Sequence, residues 1–394
     1  MAVKKDKEED SSTDTQDQRA ITKFLIKEMN KGVDGPMAWN LNDPNPTDVK
    51  EFISTGSTLL DYMISNKRNG GVPAGKLTEI VGEEGSGKSL LATQILANTQ
   101  KKGGIAIYID TENAANPDFM KRLGMDLNKL VYLQPGSIEE CYGTIEKTIM
   151  MARTKNTTCP VTIVWDSTAA TPPQAEIEGD YDPNSRIGLA AKAHAKGLRK
   201  LTKAVGFDKV TLIFTNQLKV KIGVMFGDPM TTPGGKAVPY HSSVRIRLTK
   251  SKEQAEGAGK QKETLGFNTI AKVFKNRLGP PMRRCEFKIM FDSGVDDLDA
   301  IRDYLWEVKG FISKKGGFMV IDKYKGEELK FRAGAFRSMM LNTDGKWKGF
   351  REYIEGVLEG LLVIRFDKED DDHGIELDTD SVLEMEQLAS EVSQ

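Results

Sequence analysis

The chain has 394 residues, 39% of them hydrophobic and 29% charged, with a formal net charge of −1. That length accommodates two or three domains with one large core, no apolar run approaches the roughly 20 residues of a membrane span, and the N-terminal MAVKKDKEED lacks the apolar stretch of a signal peptide. Cys141, Cys159 and Cys285 are too widely spaced for a disulfide framework or a zinc site, so a reducing cytosol is the expected compartment.

Residues 1–17 are polar without periodicity and are expected to be disordered. Over 18–31 (QRAITKFLIKEMNK), Ile21, Phe24, Leu25 and Met29 fall on one helical face, and the Gly- and Pro-rich segment 32–48 reads as a linker. The apolar stripe must be buried, either against its own domain or on a neighbouring subunit. From 49 to 250 the pattern alternates. Short β-branched runs at Leu77–Val81, Ile105–Ile109, Val161–Trp165 and Val210–Thr215 suit central parallel strands, with helical segments at 116–124, 138–153 and 188–204. This predicts an α/β fold with a mainly parallel sheet flanked by helices, whose ligands gather at the strand C-terminal ends.

Residues 251–266 read as a polar loop and 267–275 and 284–291 as strands. Residues 296–362 read as a smaller mixed unit with a helix at 298–308, a hairpin around 318–324 and a helix at 350–361. The divisions are then 1–48 (tail, helix, linker), 49–295 (core), 296–366 (a small α+β C-terminal domain) and 367–394 (acidic tail). The last 28 residues hold eleven acidic residues and one lysine, a net of −10, so the remainder carries +9. A basic body with an acidic tail is the pattern of a polyanion binder carrying its own competitor; a solubilising tail explains the same numbers.

The segment Gly82–Ser89, GEEGSGKS, matches the phosphate-binding loop pattern G-x-x-x-x-G-K-[ST] and sits between a strand and a helix, as the pattern requires. Gly82, Gly85 and Gly87, with Glu84 and Ser86 between them, let backbone N–H groups wrap a phosphate against a helix N-terminus; Lys88 reaches the terminal phosphates and the Ser89 hydroxyl a Mg²⁺ ion. Asp166, closing the strand 161–165, is the second Mg²⁺ candidate. Glu112, at the end of the strand 105–109, suits a general base for the attacking water; alternatively Asp110-Thr111-Glu112-Asn113 is a helix-capping cluster.

The strand 210–215 leads into Asn216-Gln217, where Gln217 can sense a γ-phosphate. The run behind it, KVKIGVMFGDPMTTPGGK, combines lysines, glycines and adjacent large apolar residues. Such a loop suits single-stranded nucleic acid, with cations on phosphates and apolar side chains between bases; a loop buried at a subunit interface is the alternative. A second loop, 178–188, precedes a helix whose Lys192, Lys196, Arg199 and Lys200 form a basic stripe or simply a solvated face. Lys275 and Arg277 share one face of a strand and suit a charge supplied in trans to a γ-phosphate, or a plain surface strand. His194, His241 and His373 have no ligand-like spacing and are expected to be structural.

In this order these residues resemble the RecA family of bacterial and phage DNA recombinases, from about Ile53 to Phe291. The densest stretches are GEEGSGKS, IDTENAANPDFMKRLG, PQAEIEG, IGLAAKAHAKGLRKL and LIFTNQLKVKIGVMFGDP. The resemblance implies a RecA-type ATPase core, with ATP and Mg²⁺ as cofactors. It implies catalytic roles for Lys88, Glu112, Gln217, Lys275 and Arg277, the last two acting on the neighbour's ATP, and places Phe119 against adenine with Asn116 near its amino group. It makes 178–188 and 218–235 DNA-binding loops, with Lys192, Arg199, Lys219, Lys221, Gly234 and Gly235 on the backbone and Ile187 and Ile222 between base triplets. It also docks the helix 18–31 on the adjacent protomer.

Four departures stand out: Arg277 where the family usually has Lys, which changes a point charge into a fork; Asn116 for Asp; Pro233 for Thr; and a first loop one residue longer. The expected activity is single-stranded-DNA-dependent ATP hydrolysis by a helical filament that pairs homologous double-stranded DNA and exchanges strands. Single-strand-binding and loader proteins are further expected partners. A hexameric replicative helicase would call for a large N-terminal domain that about 50 residues cannot supply, and a non-enzymatic scaffold need not keep Lys88, Glu112 and Asp166 together.

Overall fold

A computed structural model of the chain describes residues 6–33, 36–43, 45, 47–154, 158–179, 188–220, 230–256 and 263–365. Nine strands form one sheet. They are β1 (Leu77–Gly82), β2 (Ile105–Asp110), β3 (Leu130–Leu133), β4 (Val161–Asp166), β5 (Val210–Gln217), β6 (Val244–Glu256), β7 (Glu263–Asn276), β8 (Arg283–Met290) and β9 (Gly294–Asp296), in the spatial order β9-β8-β7-β6-β1-β5-β4-β2-β3. From β6 to β3 every neighbouring pair is parallel, and β6 to β9 pair antiparallel. The expected α/β architecture with a mainly parallel sheet is thus borne out.

The central strands read as nearly unbroken apolar runs because both their faces are covered. Alternate residues divide between two cores: Tyr108, Val164 and Ile213 join one, and Ile107, Ile109, Ile163, Trp165, Leu212 and Phe214 join the other. The first face is covered by α1 of the core, Thr58–Ser65, and by α2, Lys88–Lys101; the second by α3, Ile138–Thr154, and α4, Leu189–Phe207. Truncating Trp165, which is fully buried at the centre of the second core, to Ala is a change of the kind that costs about 3–5 kcal/mol.

Three expectations need correction. The N-terminal helix runs over Asp6–Met29, so the polar segment expected to be disordered is helical from Asp6 onward; its acidic and polar residues hide no helix breaker. The expected loop 251–266 is largely strand, since β6 and β7 pair from Val244↔Asn276 out to Glu256↔Glu263. Polar pairs such as Gln254 with Asn268 line that hairpin extension, so no apolar alternation marks it. Finally, residues 296–363 do not pack apart from the rest. Ile301, Leu305, Phe336, Phe350 and Leu358 belong to the same core as Ile80, Leu91 and Ile246, and the chain through Val363 is one compact unit.

Within that C-terminal segment, the helix Asp297–Asp303 continues as a π-helical turn to Val308, and strands Ser313–Lys315, Phe318–Tyr324 and Glu327–Phe331 form a small sheet before the helix Phe350–Leu362.

Candidate nucleotide and nucleic-acid site

Strand register assembles the site. Gly82, the last residue of β1, lies opposite Gln217, the last residue of β5, and Asp110 at the end of β2 lies opposite Asp166 at the end of β4. The chemistry-bearing residues of four distant segments therefore meet at the C-terminal ends of adjacent parallel strands.

The loop between β1 and α2 uses glycine where the backbone demands it. Gly85 and Gly87 have φ of 70° and 96°. A Cβ on Gly87 would also sit 2.6 Å from the tip of the Ile289 side chain, which would have to shift, but the positive φ is what chiefly demands glycine there. Gly87 caps α2 without a side-chain hydrogen bond, which leaves the first helical N–H groups facing an incoming anion. Ser86 is buried; its hydroxyl donates to the Glu83 carbonyl at 2.8 Å, and its own carbonyl accepts from Thr269 at 3.3 Å. Lys88 donates to the same Glu83 carbonyl at 2.8 Å. Burial lowers its proton affinity, and the charges of Asp166, Glu112 and Glu84 oppose that effect. Ser89 is exposed in the first turn of the helix.

Asp110 and Glu112 divide the two readings of their segment. Asp110 is buried and accepts from the N–H groups of Glu112 and Ala115, each at 3.0 Å, and from the Tyr132 hydroxyl at 2.8 Å. It is the residue that folds the turn. Glu112 is exposed, its carboxylate meeting only the Ser167 hydroxyl among the described residues, so it projects from that turn. Asp166 is buried with both oxygens engaged: Tyr108 donates to one at 2.6 Å and Thr215 to the other. Burial, and then the Asp166 charge, hold the Tyr108 hydroxyl protonated far above its ordinary range. Asn116 is the N-cap of the helix Pro117–Arg122 and accepts from Phe119 N–H at 3.0 Å, while the half-buried Phe119 ring packs against the core.

Gln217 is exposed at its strand end. Its neighbour Asn216 is fully buried, donating to Glu79 at 3.0 Å and to the Pro233 carbonyl at 3.4 Å, and the buried Glu79 forms an ion pair with the partly exposed Arg245. Sequence reasoning missed this network. The signal was present as a glutamate inside the apolar strand LTEIV. Gly234 and Gly235 follow Pro233 at φ of 84° and 78°; a Cβ on Gly234 would lie 2.9 Å from the His194 ring. His194 is buried and hydrogen-bonded through Nδ1 to the Tyr142 hydroxyl at 3.0 Å, and burial lowers its pKa to about 4. That neutral, enclosed ring agrees with a structural histidine, as does His241, which bonds Thr202 at 3.0 Å.

Lys192, Lys196 and Arg199 are exposed along α4, and Lys200 is paired with Glu146 at 2.6 Å. Lys219 is exposed just beyond Gln217. Ile187, Lys221, Ile222 and His373 lie outside the described residues. Lys275 donates to the carbonyls of Pro239 and Tyr240 at 2.7 and 3.0 Å, at the end of the short helix Ala237–His241, and Arg277 reaches the Tyr240 carbonyl at 3.5 Å. Burial, reinforced by Arg277 and Arg245, lowers the Lys275 pKa to about 8. Among the described contacts, none joins Lys275 or Arg277 to the Gly82–Ser89 loop of the same chain. The register shift at Arg245/Ile246 leaves Phe274 unpaired, with the Arg245 guanidinium 4.6 Å from its ring centroid.

The model of the RecA N-terminal domain matches residues 20–296. Among curated proteins, the chain is 36% identical over 334 residues to the Protein RecA of Ruminococcus albus, covering 82% of this chain and 79% of that one. It is 37% identical over 336 residues to the Protein RecA of Chlorobaculum tepidum (85% and 91%), and 38% identical over 279 residues to that of Streptomyces venezuelae (71% and 69%).

Proposed function

The chain belongs to the RecA family, and from that premise we propose that it is a DNA-dependent ATPase that polymerises on single-stranded DNA as a helical filament and catalyses homologous pairing and strand exchange. The observation that carries the reading is the pairing of Gly82 with Gln217. The residue that opens the phosphate loop lies beside the residue that opens the 218–235 segment, so a change at the nucleotide reaches the root of the nucleic-acid loop through one strand pair.

The residues present fit Mg²⁺. This ion is usually held by one or two protein oxygens, several waters and the substrate phosphates rather than by an all-protein cage. Ser89 and Asp166 supply such oxygens, and no cluster of three or more His, Cys, Asp or Glu side chains suited to a metal occurs among the described residues. Bound there, the ion would neutralise phosphate charge. Lys88 would take the terminal phosphates, and Glu112, exposed on a turn fixed by Asp110, would orient and deprotonate the water. The Asn116 side-chain oxygen caps the helix that carries Phe119, whose ring would stack on the base. Lys192, Arg199, Lys219, Lys221, Gly234 and Gly235 would follow the DNA backbone, with Ile187 and Ile222 between bases.

The exposed Ile21, Phe24, Leu25 and Met29, at 57, 61, 49 and 58%, make an apolar stripe left uncovered by the described residues and suited to an adjacent protomer. Lys275 and Arg277 would arrive at the neighbour's ATP, exchanging carbonyl partners for phosphate. Loader and single-strand-binding proteins would act on this filament. Among the described residues no helix is long and apolar enough to cross a membrane; the cysteine usage supports a cytosolic setting as part of this proposal.

Electron microscopy of the chain with single-stranded DNA and a non-hydrolysable ATP analogue tests this reading. Continuous right-handed filaments on stretched DNA are expected; closed rings in their place would overturn it.

A further inference from the structure

Two tyrosines outside every motif of the sequence hold the carboxylates of the site. Tyr108 on β2 and Tyr132 on β3 lie opposite one another in the parallel ladder, with rings stacked at 13° and centroids 6.3 Å apart. Each hydroxyl reaches a different strand-end aspartate: Tyr108 donates to Asp166 at 2.6 Å and Tyr132 to Asp110 at 2.8 Å. We propose that both are positioning residues for ATP hydrolysis, Tyr108 fixing the Asp166 carboxylate toward the metal and Tyr132 steadying the Asp110 turn that presents Glu112. This rests on the ATPase reading above.

The argument begins with Asp166, a nearly fully buried carboxylate. Its two oxygens accept one hydroxyl each, from Tyr108 and Thr215. Hydroxyl-to-carboxylate bonds are short and about twice as strong as neutral ones, and one on each oxygen fixes the plane of the group. Removing one donor leaves a buried anion under-compensated and free to turn. Partners of this kind typically matter 10–100-fold in metal affinity or activity. Asp110 differs, because it also accepts from the backbone N–H groups of Glu112 and Ala115. Loss of the Tyr132 hydroxyl therefore leaves the turn formed but less rigid. The two tyrosines are thus separable, one acting on the metal and the other on the base.

The test uses the full chain and the variants Tyr108→Phe and Tyr132→Phe, which keep the rings and their stacking. Mn²⁺ affinity in the presence of a non-hydrolysable ATP analogue is read by electron paramagnetic resonance, and kcat and the half-saturating Mg²⁺ concentration by steady-state hydrolysis. Tyr108→Phe is expected to weaken Mn²⁺ binding and raise the half-saturating Mg²⁺ by about tenfold or more. Tyr132→Phe is expected to lower kcat several-fold at unchanged metal affinity. Thr215→Val, which removes the other donor to Asp166, is expected to reproduce the metal defect and serves if Tyr108→Phe does not fold. Wild-type metal affinity in a folded Tyr108→Phe or Thr215→Val variant overturns the Asp166 half, and wild-type kcat in Tyr132→Phe overturns the Asp110 half. Either result leaves the ATPase reading standing, whereas a wild-type chain that neither hydrolyses ATP nor binds it in a metal-dependent way removes that reading itself.

Discussion

Lys88 sits among Asp166, Glu112 and Glu84, with the Glu83 carbonyl as its partner. In the proposed mechanism ATP replaces that carbonyl with phosphate. Lys88→Ala is accordingly expected to abolish measurable hydrolysis, while Glu112→Gln should retain nucleotide binding and lose about 10²–10⁴-fold in kcat, the usual worth of a general base. Equal losses of binding and kcat in Glu112→Gln, measured by nucleotide titration and steady-state kinetics, would return Glu112 to a purely structural role. At this scale the sequence was most legible where chemistry demands a fixed spacing, as in Gly82–Ser89, and least legible where a contact depends on strand order. Nothing in the local pattern of IAIYID says that Tyr108 reaches Asp166, 58 residues away in sequence, because that contact exists only once β2 and β4 are neighbours. Likewise, only the structure separates Asp110 as the residue that shapes the turn from Glu112 as the one that projects from it.

Helices and strands add constraints that residues alone do not show. The helix Thr58–Ser65 is held at its N-terminus by Asp297, which accepts from the Thr58 N–H and hydroxyl, both at 2.6 Å, and carries Asp61, which accepts from Thr55 N–H at 2.8 Å. Burial raises Asp61 to about 7 and Asp297 to about 6. A carboxyl that binds its proton more tightly folded than unfolded favours the fold at pH values below the ordinary carboxylate range. That contribution is lost as the pH climbs through about 4 to 7. Asp61→Asn, which keeps an acceptor for Thr55, should therefore raise the melting temperature at pH 8, by roughly 1–3 kcal/mol in stability, and narrow the gap between pH 5 and pH 8. An unchanged gap in thermal melts would contradict the assignment.

On α4, Lys192→Ala should weaken single-stranded DNA binding and lower the slope of log affinity against log salt by about one; an unaltered slope would place Lys192 off the DNA path. The alternation of strands and helices was readable because buried parallel strands are short apolar runs. The β6–β7 extension was not, because its sequence is mostly polar and its clearest signature is strand pairing.

In the assembled protein, the stripe of Ile21, Phe24, Leu25 and Met29 and the cations Lys275 and Arg277 have their proposed partners on another copy of the chain. Deleting residues 1–33 should leave nucleotide binding intact and reduce the protein to small species in sedimentation, with short or no filaments on DNA; filaments of normal length would show that the helix serves its own domain. The continuous core from Ile80 to Leu358 was hidden from the sequence, where composition suggested a boundary near 296, because apolar residues carry no mark of which partner they will meet. The central claim is that nucleotide turnover at Gly82–Ser89 is coupled to DNA held by the segments beside it. The most direct measurement is the ATP hydrolysis rate of the full chain with and without single-stranded DNA. The account predicts slow turnover alone and strong stimulation by DNA, whereas equal rates in the two conditions would contradict it.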